Sequence, residues 1–266
     1  MRRYLRLLLA LSRFSLLREL AFRTNFLAKI SVEVLWLGML ILFYKTIFTK
    51  TSNVAQWSEA EYLFFLGCYY ALEGLIETLF LDNANEFADL VRSGDLDFFL
   101  LKPIDEQFLI SCRNIDWSTA ANVVMGSALM VIALVQLNWE FDPLRLVLFL
   151  LMFTCGLGLA YSFLLMLTST SVWFMRNQSL YELWWLFTSL MRYPREIFND
   201  SWALVIGRFF TFVIPVLIVV NVPANVMVKA LDWWTLALML LATVALLWVS
   251  RRVFRAALRR YRSASS

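Results

Sequence analysis

Residues 92–103 read RSGDLDFFLLKP, the centre of the one long polar interruption in a chain otherwise made of apolar runs. The preceding segment 85–93 has helical composition, and Gly94 is the residue best able to adopt the left-handed conformation that closes a helix. Asp95 or Asp97 can then cap a second short helix over 98–101, which Pro103 terminates. Up to Glu106 the interruption carries seven acids, Asp82, Glu86, Asp89, Asp95, Asp97, Asp105 and Glu106, against two bases, Arg92 and Lys102. The run Phe98, Phe99, Leu100, Leu101 follows those acids. Four large apolar residues on a solvated loop need a groove, in this chain or in a partner. The stretch therefore reads as an interaction surface, not a reaction centre.

The flanking composition sets the class. Of 266 residues, 61% are hydrophobic and 16% aromatic, with a mean hydropathy of +0.68, far above the roughly 45–50% apolar content of soluble domains. This predicts an all-α polytopic membrane protein. The net charge of +4 resides in short Lys and Arg clusters between apolar runs, the placement of topology determinants and not of a nucleic-acid surface. Cys68, Cys112 and Cys155 lack metal-ligand spacing and read as packing residues.

Residues 1–23 carry Arg2, Arg3, Arg6, Arg13, Arg18 and Arg23 among Leu and Phe. No small-x-small cleavage site follows the basic start, which predicts that the segment is retained as an interfacial helix whose arginines snorkel to headgroups. Residues 25–48 form the first span, with Lys29 and Glu33 spaced to pair at i, i+4. Residues 61–81 form the second. It contains Glu73 and Glu77 on one face, close in sequence to Tyr69 and Tyr70. Carboxylates in hydrocarbon are costly unless they meet a partner or water. The four residues are candidates for a translocation path, against the simpler reading of Glu77 solvated near an end and Glu73 held by a neighbouring helix.

The cytoplasmic loop spans 82–112, the third span 115–137 and the fourth 144–168. Asp116 and Arg145 fall near span ends. Gly126, Gly156 and Gly158, with Ser127 and Ala128, allow close helix approach. The next stretch admits two arrangements. Either 178–193 lies on the cytoplasmic surface and 202–222 is the fifth span, or 178–193 crosses and 202–222 is an outer re-entrant hairpin turning near Pro215 and closed by Pro223. The latter needs protein around its broken backbone. A sixth span, 233–250, and a basic tail, 251–266, follow. With both termini cytoplasmic, the first arrangement places 20 basic residues inside and four outside, Lys45, Lys50, Arg145 and Lys229. The second gives 17 inside and seven outside. Both satisfy the positive-inside rule.

The chain has no histidine, which removes Ser-His dyads and His-ligated metal sites, and no G-x-x-x-x-G-K-[ST] loop for nucleotide phosphates. The reading is of a non-enzymatic chain whose energy comes from a partner or from an ion gradient used through Glu73 and Glu77.

Two blocks, RSGDLDFFLLKPIDEQF between the second and third spans and RYPREIFNDSWALVIGRFFTFVIPVLIVVNVPA before the last, resemble the ABC-2 family of ABC-transporter membrane subunits, in its six-helix bacterial permease branch. The matching positions are Gly94, Leu96, Asp97, Leu100 and Pro103, then Tyr193, Pro194, Ile197, Phe198, Ile214, Pro215, Pro223 and Ala224. The resemblance implies a permease of the bacterial inner (plasma) membrane, paired as a homodimer or heterodimer. It implies two cytosolic ATPase subunits that bind ATP and Mg, so that this chain holds no cofactor, and a direction of export. It also implies a coupling helix in the 82–112 loop, with Arg92, Gly94, Asp95, Leu96, Asp97, Phe98, Phe99, Leu101, Lys102 and Pro103 at the ATPase contact. Finally it favours the re-entrant arrangement, turned at Pro194, Pro215 and Pro223.

Overall fold

The computed structural model describes residues 2–174, 178–199 and 203–261. They are helical, with no β-strand among them beyond an isolated bridge between Val54 and Trp57. In chain order the helices are α1 (Arg2–Ala21), α2 (Arg23–Phe48), α3 (Glu59–Ser93), α4 (Leu96–Leu100), α5 (Glu106–Ser111) and α6 (Ala120–Gln136). They continue with α7 (Pro143–Phe174), α8 (Gln178–Met191), α9 (Leu204–Val213), α10 (Leu217–Val228) and α11 (Trp233–Arg260). Four of these, α2, α3, α7 and α11, are long and apolar enough to cross a membrane, and α9 with α10 makes a fifth if that bent pair is one span. The chain is a polytopic membrane protein.

The largest departure from the sequence reading is α3. The helix does not end where the predicted span does, at residue 81, but runs unbroken from Glu59 to Ser93. The acids at 82, 86 and 89 do not end the helix. Nothing stops the helix until Gly94, whose φ of 81° provides the predicted left-handed cap. Ser58 starts α3 by donating its backbone N–H and hydroxyl to the Glu61 carboxylate, the Glu61 half of a capping box. Between Glu77 and Leu81 the helix widens to a π-turn, which frees carbonyls from the i→i−4 ladder. The Thr78 carbonyl accepts from Asp116 N at 3.0 Å and the Leu79 carbonyl from Asn83 Nδ2 at 3.1 Å.

α3 lies at the centre, its Phe64, Phe65, Leu66, Tyr69, Leu72 and Ile76 buried against α6, α7 and α10. The approach to α6 is backbone on backbone. A Cβ on Gly126 would stand 2.6 Å from the Gly67 carbonyl oxygen, and one on Gly67 2.8 Å from the Gly126 oxygen. Gly156 has the same role toward α10, where a Cβ would meet the Val219 oxygen at 2.5 Å. That oxygen is the one Pro223 cannot donate to, so the glycine makes room for a carbonyl released by proline. Pro223 therefore lies buried inside α10 and does not close the segment as the sequence reading had it. Ser127 and Ala128 are exposed and take no part in the close approach.

The other boundaries shift for local reasons. α6 begins at Ala120, not 115, because the N–H groups of Trp117 and Ser118 are taken by Glu19 and Asp116 side chains. α7 continues past 168 to Phe174, its Thr168 and Ser169 hydroxyls donating to carbonyls one turn back, the way such residues persist in helices. The pair predicted between Lys29 and Glu33 is replaced by two tertiary ones. Lys29 meets Asp116 at 3.1 Å, and Glu33 accepts from Asn122 at 3.1 Å. Asp116, placed near an interface by its sequence position, is buried.

In the last third, α8 is followed by Pro194 and a 3₁₀ turn, Arg195–Asn199. Trp202 and the tail's Arg262 lie outside the described residues. α9 and α10 meet at 89° across a break beside Pro215. Ile214 is extended there, the conformation a residue before proline is driven to. α10 is buried through most of its length, whereas α9 exposes Val205, Phe212 and Val213.

Candidate functional site

The stretch 92–103 forms a small platform at one end of the molecule. Its helix is α4, Leu96–Leu100, two residues earlier than the 98–101 expected. Asp95 stands at the N-cap position without a side-chain cap bond, its carboxylate accepting instead from the Ser93 hydroxyl at 2.8 Å. The helix stops at Leu100, three residues before Pro103. Arg92 pairs with Asp89.

The apolar run divides into two faces. Leu96 is fully buried, and Phe99 is partly buried beneath the Lys102 ammonium at 4.6 Å and the Arg113 guanidinium at 5.0 Å, favourable positions for cations over a ring. Arg113 is held in turn by Glu86, and burial, with Arg18 nearby, lowers its pKa. Phe98 and Leu101 point away, 67% and 82% exposed. Phe99 therefore anchors the platform to its own chain, and of the apolar run Phe98 and Leu101 are the residues left exposed.

The platform rests on several helices at once. Leu96 belongs to a cluster with Phe87 and Val91 of α3, Ile110 of α5, Leu165 and Val172 of α7, and Phe254 and Ala257 of α11. Tyr261, just past α11, has its pKa raised by burial and then by Asp97, which places its hydroxyl within electrostatic reach of the α4 acid. Arg251 of α11 pairs with Asp105 at 2.8 Å, and the Tyr4 hydroxyl of α1 accepts from Asp105 N at 3.3 Å. The start of α1, the 94–111 segment and the end of α11 thus share one end of the molecule. Asn83 binds this end together: its Nδ2 donates to the Ser111 and Asn114 carbonyls at 3.1 and 2.7 Å, and its Oδ1 accepts from Asn114 N at 2.8 Å.

The second candidate group lies inside the bundle. Tyr69 and Tyr70 are buried, and Glu73 and Glu77 are half-buried, facing other helices. Arg192, just after α8, donates to the Tyr69 hydroxyl at 3.3 Å with its guanidinium 5.4 Å from the Tyr69 ring centre, and Glu73 lies within reach of both. One turn on, Glu77 lies near Asn122, which also holds Glu33. A row of polar groups therefore runs Arg192, Tyr69, Glu73, Glu77, Asn122, Glu33 across four elements. Arg192 and Asn122 were missed from the sequence, and Glu33 was assigned to Lys29 alone; a polar residue in or beside an apolar helix was the only signal. Among the described residues no group of three Asp, Glu, Cys or His could hold a metal ion.

At the opposite end, Glu196 accepts from Trp57 Nε1 and from Asn221 Nδ2, both at 3.0 Å. The Lys229 ammonium lies 3.8 Å from the Trp57 ring centre. The residues on either side of the α9–α10 bend are thereby fastened to the entrance of α3. Pro194 and Pro215 mark breaks, and Pro223 does not.

No curated protein and no solved structure matches the chain. A model of the ABC-2 family transporter proteins matches residues 34–265, a range that takes in the platform, the bent pair and the polar row except Glu33. The chain belongs to the ABC-2 family and is an ABC-2 type permease.

Proposed function

We propose that this permease is the membrane-spanning subunit of an ATP-driven exporter of the bacterial inner membrane, moved by two cytosolic ATPase subunits that dock on the 92–103 platform. The observation that carries the reading is the division of α4, with Leu96 and Phe99 seated in the chain and Phe98 and Leu101 presented outward. An apolar pair on a rigid base is what a cleft in a partner can push against. The push enters α7 and α11 through the Leu96 cluster, as well as α3, a wider route than the second and third spans alone.

The end bearing the platform is cytoplasmic in this reading. It gathers the α1 arginines and Arg251, Arg252, Arg255, Arg259 and Arg260, as the positive-inside rule requires. Six crossings follow, by α2, α3, α6, α7, α8 and α11, with both termini inside. α6, about 26 Å long, relies on local thinning of the bilayer or on its flanks. α8 and the turn after it reach the outer end, where Glu196 meets Trp57. α9 and α10 form a re-entrant pair whose bent backbone is shielded by α7 and α8, as hydrocarbon demands. α2, exposed along most of its length, is free to face lipid or a second permease, identical or homologous. ATP and Mg belong to the partner.

The polar row of Glu33, Glu73 and Glu77 lines the path and suits amphipathic cations by charge and aromatic contact. Glu73→Gln with Glu77→Gln is expected to lower ATP-driven uptake of a fluorescent lipophilic cation into inside-out vesicles at least tenfold while ATPase subunits still co-purify. In proteoliposomes, the complex recovered in mild detergent should transport only with ATP. Gradient-driven transport by this chain alone would instead identify a secondary transporter using the same acids.

A further inference from the structure

A cavity of about 380 Å³ opens where α1 turns into α2, lined by Arg18, Glu19, Phe22, Lys29, Asp82 and Asp116 among others. Its size falls within the range of small-molecule sites. Its lining includes no residue of the platform or of the polar row.

Its charges do not balance. Lys29 and Asp116 pair at 3.1 Å, and Arg18 reaches Asn114 Oδ1 at 3.4 Å. Glu19 and Asp82 are then left with one cation between them, a formal surplus of one negative charge. Glu19 accepts from Trp117 N through Oε1 at 2.8 Å, but its Oε2 is buried with no hydrogen-bond partner among the described residues. Burial raises the Glu19 pKa, against the Trp117 N–H, and the nearby Asp116 raises it further. The site as it stands lacks a cation that can also donate hydrogen bonds. It equally offers cationic donors, the Arg18 guanidinium and the unused Lys29 N–H groups, to an anion.

An ammonium and a phosphate a few bonds apart would supply a donor to Glu19 and an acceptor to Arg18 and Lys29, leaving the net charge of the site unchanged. The source of such a ligand is indicated by the apolar surface of the adjoining segment. Phe22, which lines the cavity, and Phe14, Leu17 and Leu20 of α1 are exposed, an apolar surface that acyl chains would cover. We propose that this cavity holds the headgroup of a zwitterionic aminophospholipid of the phosphatidylethanolamine type, its ammonium toward Glu19 and Asp82 and its phosphate toward Arg18 and Lys29. The lipid would pin the α1–α2 turn to the loop that carries Asp116. The inference rests on the membrane reading but not on the ATPase.

The test is lipid retention by the full chain, purified in mild detergent with any partner it brings and washed with mixed micelles of defined phospholipids. Phosphatidylethanolamine should be retained at about one per chain, at least tenfold over phosphatidylglycerol, whose headgroup has no cation. It should also exceed phosphatidylcholine, whose ammonium cannot donate. Glu19→Gln with Asp82→Asn should abolish that preference. Equal retention of the three lipids by the unaltered chain would overturn the proposal whether or not the variant folds. So would an unchanged preference in the folded variant, or equally tight binding of soluble phosphoethanolamine, which would remove the lipid from the account. ATP hydrolysis enters none of these readouts, so a failure here is separate from a failure of the exporter reading.

Discussion

Replacing Phe98 and Leu101 together by Ala is expected to release the ATPase subunits from the permease while leaving its membrane insertion and unfolding midpoint unchanged. Neither side chain supports the fold, being largely exposed in the single chain. Fully burying such a side chain in a partner is worth about 1.5–3 kcal/mol. Losing two costs roughly 3–6 kcal/mol, a drop in affinity of about two to four orders of magnitude, measurable by co-purification and titration of the ATPase. Phe99→Ala should behave differently. Phe99 packs on the Leu96 cluster under Lys102 and Arg113, so its loss loosens the platform and lowers the unfolding midpoint as well as binding. A Phe99→Ala variant as stable as the parent would contradict the division of the helix into two faces.

The second large effect is at the α3–α6 crossing. Gly126→Ala would place a methyl group within 2.6 Å of the Gly67 carbonyl oxygen. The obstruction is backbone, which cannot swing aside. Overpacking costs about 1–3 kcal/mol, and here the upper end applies, equivalent to roughly 6–12 °C in the unfolding midpoint for a chain of this size. Gly38→Ala is the control, since nothing lies within 4 Å of its Cβ position, and alanine is the better helix former by about 1 kcal/mol. Thermal unfolding in detergent should therefore move down for Gly126→Ala and up or not at all for Gly38→Ala. Equal midpoints would mean that the two helices do not touch.

These effects show which features were legible. Gly94 closed a helix where its conformational freedom predicted, and the apolar runs of α2 and α11 fixed their own positions. Gly126 and Gly156 were recognisable as contact points because small residues in hydrophobic helices have few other uses. Helix ends within polar sequence were not legible, because polarity reports the solvent and helicity reports the backbone. The run 82–93 is polar yet continues α3, and 168–171 is rich in Ser and Thr yet continues α7. Side-chain partners were also out of reach. Lys29 and Glu33 have ideal spacing for each other, and the competitors that take them, Asp116 and Asn122, lie 87 and 89 residues away. The polar row was half visible: Glu73 and Glu77 stand out in an apolar run, but only the packing of α8 brings Arg192 to Tyr69.

The platform's role is tested most directly by cross-linking from its outward face. In a chain whose Cys68, Cys112 and Cys155 are replaced, a single cysteine at Phe98 or Leu101 should form an adduct with the co-expressed ATPase subunit when membranes are treated with a short thiol-to-amine reagent. One at Phe141, which is 74% exposed at the opposite end, should form none. Adducts at both ends, or none from Phe98 and Leu101 in membranes that retain the ATPase, would contradict the docking of the ATPase on residues 92–103.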